Sequence, residues 1–330
     1  MKQYILKLKM LCLLVLLLSC GKSTVNAEAP DEGDPPKKDF FVIGYMFADA
    51  NLLTASAKID FNKITHLNIA FINPDATGKF IAPTGLQELV NKAHDKKVKV
   101  IAAIGGGSPP EHLKALLPPG NRKVLIDNLM SLVNTYQLDG VDVDLEGDFI
   151  NEYYEGFVVE MSAALKKEKK MMTAAVATWN SAAYSNKAIA LFDLINIMSY
   201  DQTGPWRKEN PGPHSTYEAA EMDFKHWNIN RGIPVSKLIL GLPFYGYGFG
   251  SDIMESISYG DLVKNYPGSA EVDLWELPGK GIFYYNGMPT IRKKVAFSLK
   301  NNAGGVMIWQ LLGDAEGANS LLTAIYDDIK

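Results

Sequence analysis

Asp142, Asp144 and Glu146 stand on alternate residues of one short apolar run, Leu138-Asp139-Gly140-Val141-Asp142-Val143-Asp144-Leu145-Glu146. In an extended chain residues i, i+2 and i+4 share a face, so the three carboxylates point one way while Val141, Val143 and Leu145 point the other. Same-face neighbours along a strand lie roughly 7 Å apart. In a sheltered place three carboxylates at that spacing cannot all stay ionised, and at least one holds a proton near neutral pH. A carboxyl group kept protonated beside an ionised one is the equipment of a general acid, as glycoside cleavage requires. A solvated acidic edge strand is a poorer reading, because the alternate face is apolar. A divalent-cation site lacks a neighbouring histidine or acidic turn to complete it. Asp139 has the opposite parity and precedes Gly140, which fits a structural turn.

Carboxylates so placed need a scaffold that presents one end of a strand to substrate. Apolar, β-branched runs occur at 41–45, 66–71, 98–104, 141–145, 172–178, 194–200, 238–242 and 305–310, which predicts eight strands. Between them, 3.6-residue periodicity predicts helices at 86–96, 122–136, 152–169, 217–228, 291–301 and 319–329. Eight strands alternating with helices argue for a parallel α/β fold closed into a TIM (β/α)8 barrel. An open doubly wound sheet would want a phosphate-binding glycine turn after the first strand, and Tyr45-Met46-Phe47-Ala48 is not one. In a barrel, the strand C-termini and the loops after them carry the chemistry. Asp142, Asp144 and Glu146 run toward such an end.

The first residues form a different object. Lys2, Lys7 and Lys9 precede the apolar run Leu11 to Leu18, which ends at Ser19-Cys20-Gly21 and reads as a secretory signal too short to span a membrane. Leu17-Leu18-Ser19-Cys20 resembles a bacterial lipobox. The expected organisation is a lipoprotein signal peptide over 1–19, a disordered polar tether over 20–38 from a lipidated Cys20, and a catalytic barrel over 39–330. Cys12 and Cys20 are the two cysteines of the chain, so the folded body has no disulfide framework. Loss of the three signal lysines would carry the net charge from −4 to about −7, and the lysines read as scattered along helices, so nucleic acid is not an expected partner.

Motifs on several strands resemble one family. Asp139-Gly140-Val141-Asp142-Val143-Asp144-Leu145-Glu146 matches the DGxDxDxE signature of glycoside hydrolase family 18, the chitinases and endo-β-N-acetylglucosaminidases, and it falls on the fourth predicted strand. Ile104-Gly105-Gly106-Gly107-Ser108 resembles the family's SxGG turn, with Ala103 where the serine usually stands. Met198-Ser199-Tyr200-Asp201-Gln202-Thr203-Gly204-Pro205-Trp206 resembles the sixth-strand MxYDxxGxW. Gly241-Leu242-Pro243-Phe244-Tyr245-Gly246 and Gly304-Gly305-Val306-Met307-Ile308-Trp309 resemble the seventh and eighth strands. The similarity runs roughly from 41 to 312. Departures include Leu145 and Gly147-Asp148 around the glutamate, where chitinases often carry Trp and Tyr-Pro, which would remove ring surface near the cleft. Tyr247 replaces an arginine, and 247–303 looks like a shortened form of the insertion that walls the groove.

The resemblance implies substrate-assisted cleavage beside an N-acetylglucosamine whose own acetamido oxygen attacks the anomeric carbon. Glu146 would be the general acid and then base, with its pKa raised by neighbouring negative charge. Asp144 would hold the acetamide N–H and stabilise the oxazolinium ion, sharing a proton with Asp142, and Tyr200 would donate to the acetamido oxygen. Asp201 would support the sugar. Trp309 would floor the pocket, with Trp206, Tyr45 and Trp179 as further stacking platforms. Trp227, Trp275 and the histidines read as structural. No metal or cofactor is expected. The expected partner is an N-acetylglucosamine-containing oligo- or polysaccharide, cleaved by a retaining chitinase or chito-oligosaccharide hydrolase. An endo-β-N-acetylglucosaminidase acting on N-glycans and a non-catalytic glycan-binding barrel stay open. The expected location is the bacterial cell envelope, with the lipid in the membrane.

Overall fold

Near-continuous apolar runs are what a strand covered on both faces requires, and in the computed structural model, which describes residues 40–330, all eight predicted runs are strands. They are β1 (Phe41–Phe47), β2 (His66–Ala70), β3 (Lys99–Gly105), β4 (Gly140–Asp144), β5 (Met171–Val176), β6 (Leu194–Ile197) and β7 (Leu238–Pro243). Four further strands follow, β8 (Tyr245–Gly250), β9 (Ser256–Ser258), β10 (Leu274–Leu277) and β11 (Gly281–Tyr284), before the last barrel strand, β12 (Gly305–Trp309). The barrel is parallel and closed, with β12 lying between β7 and β1. The sequence expectations for Cys20, the signal and the tether fall outside the described residues.

Each predicted helix is present, at Leu86–Asp95, Pro119–Thr135, Tyr154–Lys167, Tyr217–Lys225, Met288–Lys300 and Leu321–Ile329. The fourth ends earlier than periodicity suggests, passing into a π-helical turn at His226–Asn230. Their apolar faces and the outward residues of the strands form one shell that includes Val141, Val143 and Leu145. A separate, smaller cluster fills the barrel itself, with Ile43, Tyr45, Ala70, Ala103, Leu194, Ile239 and Met307.

The insertion between β7 and β12 is an antiparallel sheet in the order β10-β11-β8-β9, with a helix at Tyr259–Asn265. It begins at Tyr245, two residues before the sequence boundary, because Tyr245-Gly246-Tyr247-Gly248-Phe249-Gly250 alternates as a strand immediately after β7. Asp139 has the structural role its parity suggested. Its carboxylate accepts the Val100 N–H at 2.8 Å and lies 2.8 Å from His94 Nε2, pinning the turn before β4 to the start of β3.

Candidate active site

Strand β4 ends at Asp144, and the two residues after it stay extended, with Glu146 at φ −120° and ψ 162°. The alternation therefore carries past the strand, and Asp142, Asp144 and Glu146 climb the barrel interior toward its C-terminal mouth. The glycine turn after β3 makes room for this. Gly105 and Gly106 have φ of +101° and +92°, and a Cβ on either would collide, at Gly105 with the Asp144 carbonyl and at Gly106 with the Phe71 ring.

Asp142 is fully buried and saturated with donors. It accepts hydrogen bonds from Thr173 Oγ1 at 2.5 Å, Tyr45 Oη at 2.7 Å and Asn196 Nδ2 at 3.3 Å, while Asn196 Nδ2 also donates to Tyr45 Oη at 3.0 Å. Burial pushes the Asp142 carboxyl up to about 6 against the pull of these donors. Ala103, beside it in register on β3, supplies no donor, and the donors come instead from β1, β5 and β6. Asp144 is different. It is 3% exposed and its Oδ1 has no hydrogen-bond partner among the described residues. Burial first, then the charges of Glu146 and Asp142, hold it well above the usual carboxylate range. A carboxylate surrounded by donors keeps its charge and one without them takes the proton, so the pair is arranged to carry a proton on Asp144.

Glu146, at the mouth, is pushed up to about 7, by burial first and the negative charge of Asp201 second. Sequence reasoning credited neighbouring charge alone. Asp201 follows β6 in the left-handed region at φ +62°, which an aspartate tolerates better than most residues. Its Oδ1 accepts from Tyr245 Oη at 2.5 Å and Tyr247 Oη at 3.0 Å, and His214 Nδ1 lies 3.3 Å away. The insertion thus reaches the site through β8, and Tyr247 holds the aspartate with an uncharged phenol donor. Tyr200 stays a phenol, since burial and the surrounding Asp144, Asp201 and Glu146 raise its pKa well above the ordinary value. Among the described residues the Tyr200 hydroxyl has only Met307 Sδ, 3.8 Å away and a weak acceptor, to occupy its proton.

A cavity of about 150 Å³ is lined by Tyr45, Gly107, Asp144, Glu146, Tyr200 and Trp309, among others. Larger hollows of about 440 and 400 Å³ share none of its lining residues, and among the described residues no cluster of raised carboxylates converges on them. Trp309 stacks on Phe71 at 5.6 Å and 29° and meets the edges of Tyr45 and Phe47, so its plane is fixed.

Three expectations change. Tyr45 borders the cavity but is only 1% exposed, and its hydroxyl fixes Asp142. Trp206 and Trp179 are 58% and 77% exposed and lie outside the cavity, Trp206 with its ring against Tyr247 at 5.4 Å. Leu145 lies in the apolar shell, so its replacement of a tryptophan removes no ring from the cleft. Trp227 packs as anticipated, fully buried with Nε1 donating to Thr178 Oγ1 at 3.1 Å. Thr173, Asn196, His214 and Tyr245 escaped the sequence reading, because each meets its carboxylate through a contact between distant segments. The alternation of tyrosine and glycine at 245–248 was the one local signal available.

Residues 42–314 match the family model described as Glycosyl hydrolases family 18. Among solved structures, the chain is similar to the GH18 chitinase ChiB from the chitin utilization locus of Flavobacterium johnsoniae, at 36% identity and a TM-score of 0.81 over 88% of this chain and 94% of that one. It is also similar to a chitinase from Bacteroides thetaiotaomicron, at 28% identity and a TM-score of 0.75 over 88% and 97% of the two chains. A class V chitinase of Lotus japonicus is 25% identical, covering 92% of this chain and 90% of the relative.

Proposed function

We propose, since this chain belongs to the glycosyl hydrolases of family 18, that this glycoside hydrolase is a retaining chitinase or chito-oligosaccharide hydrolase that cleaves β-1,4-linked N-acetylglucosamine through a substrate-derived oxazolinium ion. The observation that carries the reading is the graded set of carboxyls on one face of β4: Asp142 wrapped in donors, Asp144 without one at Oδ1, and Glu146 held near 7 at the mouth.

Glu146 is the general acid. A carboxyl with a pKa near the working pH is protonated often enough to give its proton to the leaving oxygen and is basic enough afterwards to take one from water. The sugar's acetamido oxygen closes on the anomeric carbon as the glycosidic bond breaks, so no enzyme carboxylate needs to bond to the sugar. Asp144 binds the acetamide N–H and balances the positive oxazolinium, passing proton density to Asp142 as charge develops. Tyr200 donates to the acetamido oxygen and fixes its angle of attack, which makes the displacement intramolecular. Trp309 carries the apolar face of the reacting sugar. Asp201 supports the sugar and keeps the Glu146 proton in place. Trp206 and Trp179, on the rim, stack on sugars further along the chain.

Cys20 is the acylated N-terminal residue of the mature chain and holds the enzyme at the cell envelope. Incorporation of a labelled fatty acid, abolished in Cys20→Ala, tests that part alone.

The catalytic reading is tested by incubating the mature protein with chitotetraose and with a high-mannose N-glycan. Release of shorter chito-oligosaccharides is expected. Inertness toward chitotetraose together with cleavage of the N-glycan would overturn it in favour of an endo-β-N-acetylglucosaminidase.

A further inference from the structure

The end of the barrel opposite the active site is rich in lysine. Two of its turns, one leading into β3 and one into β5, carry Lys96, Lys97, Lys99, Lys166, Lys167, Lys169 and Lys170 against Asp95, Asp139 and Glu168. Sequence reasoning read these lysines as scattered, but the fold gathers them. β3 and β5 both flank β4, and Lys99 Nζ lies 3.3 Å from Met171 Sδ at the start of β5, which joins the two turns into one surface. All but Lys170, whose ammonium donates to the Leu138 carbonyl, are exposed, and among the described residues none of the seven has a carboxylate partner within ion-pair distance. Asp139 is already occupied by His94 and the Val100 N–H.

Helix dipoles account for part of this, since cations favour a helix's last turn, where Lys166 and Lys167 sit. They do not account for Lys97 and Lys169. Both lie just past a helix end at φ +62° and +56°, in the left-handed conformation that glycine or asparagine adopts with little strain. Both side chains are exposed, so no core contact requires a lysine there. The turn between them, into β4, holds Gln137 in the same conformation at φ +55°, so the strain belongs to all three turns and the outward positive charge to these two.

The described chain joins the barrel at this same end. β1 starts at Phe41, whose ring meets His66 at 5.2 Å, and His66 pairs in register with Lys99. The carboxyls of the active site are at the other end. Resting on the reading of Cys20 as a lipid anchor, we infer that the lysine face of the barrel binds the anionic headgroups of a phospholipid bilayer and turns the active-site mouth away from the membrane. The lipid on a lipobox cysteine attaches the chain without orienting the barrel, and a basic face near anionic headgroups would set that orientation. Twenty residues lie between Cys20 and Phe41, which caps the distance between lipid and barrel at about 70 Å. Each lysine close to an anionic surface strengthens binding by about fivefold.

The test uses the chain expressed from Gly21, which carries no acyl group and retains the barrel with its own core, so its outcome is independent of whether Cys20 is acylated. Sedimentation with phosphatidylcholine vesicles is compared with sedimentation when a third of the lipid is anionic phosphatidylglycerol. Binding is expected only to the anionic vesicles, weakening as salt rises. The variant Lys96→Glu, Lys97→Glu, Lys169→Glu should bind more weakly by at least about 100-fold, with unchanged hydrolysis of a soluble chito-oligosaccharide. The control Lys79→Glu, Lys264→Glu, which changes exposed lysines elsewhere, should bind like the parent. Equal binding to both vesicle types, no binding to either, or undiminished binding by the triple variant would overturn the proposal. Failure to label Cys20 would remove the anchor and leave the vesicle result standing.

Discussion

Val141, Val143 and Leu145 on the outer face of β4 and Asp142 and Asp144 on its inner face are all 3% exposed or less. The outer residues enter an apolar shell, where each fully buried side chain of that kind contributes roughly 1.5–3 kcal/mol. The inner residues carry no such gain. They lose hydration and are held by three donors at Asp142 and by a proton at Asp144, a condition that costs stability and prepares charge for a reaction. Equal burial on two faces of one strand therefore has opposite consequences. The shell makes the barrel stable enough to tolerate an interior that is poised for chemistry.

Substitutions on the two faces should separate these roles. Glu146→Gln is expected to lower kcat by about 10²–10⁴-fold while leaving oligosaccharide affinity intact, as steady-state kinetics and calorimetric titration would show. Unchanged turnover would remove Glu146 from the acid role. Leu145→Ala, one residue away on the other face, should do the reverse. It should lose about 3 kcal/mol in denaturant unfolding and keep its kcat at a temperature where it is folded. A large loss of kcat in the folded variant would break the division between the faces.

The pH dependence of stability sharpens the comparison. The folded Glu146 carboxyl sits near 7 and the ordinary value is 4.5, so the folded state holds the proton more tightly than the unfolded one. The stability contributed by this protonation is present below pH 4.5 and is lost as pH rises to 7, by at most about 3 kcal/mol. Relative to the parent, Glu146→Gln should gain stability across that window and show a constant difference above it. A gap that does not vary with pH would contradict the raised carboxyl. Tyr45→Phe should have the smallest effect. Loss of its hydroxyl removes a donor to ionised Asp142, so the acidic limb of kcat/KM should move to higher pH, with a loss of about tenfold at neutrality. A profile superimposable on the parent's would show that Asp142 does not need that bond.

Much of this architecture is legible from sequence because its signals are local. A barrel strand reads as an apolar run, and Val141 to Glu146 announce both faces of β4 by alternation alone. The glycine turn at 105–106 is legible only by its resemblance to the family's turn, because the reason for it, the lack of room for a Cβ against Asp144 and Phe71, lies in the fold. The support of the site was not legible. Tyr45, Thr173 and Asn196 reach Asp142 from three other strands, and His214 meets Asp201 across a loop, so no spacing in the chain betrays them. The conversion of Tyr45 from platform to hydrogen-bond donor belongs to this class, as does the convergence of the lysines from two turns. Both are consequences of closing the barrel.

The central claim is that the sugar supplies its own nucleophile. Hydrolysis of fully N-acetylated chitotetraose should be measured beside the same tetramer stripped of its acetyl groups. Cleavage of the acetylated substrate with only background reaction of the other is expected, because a free amine cannot form the oxazolinium ring. Comparable rates on the two would contradict the account.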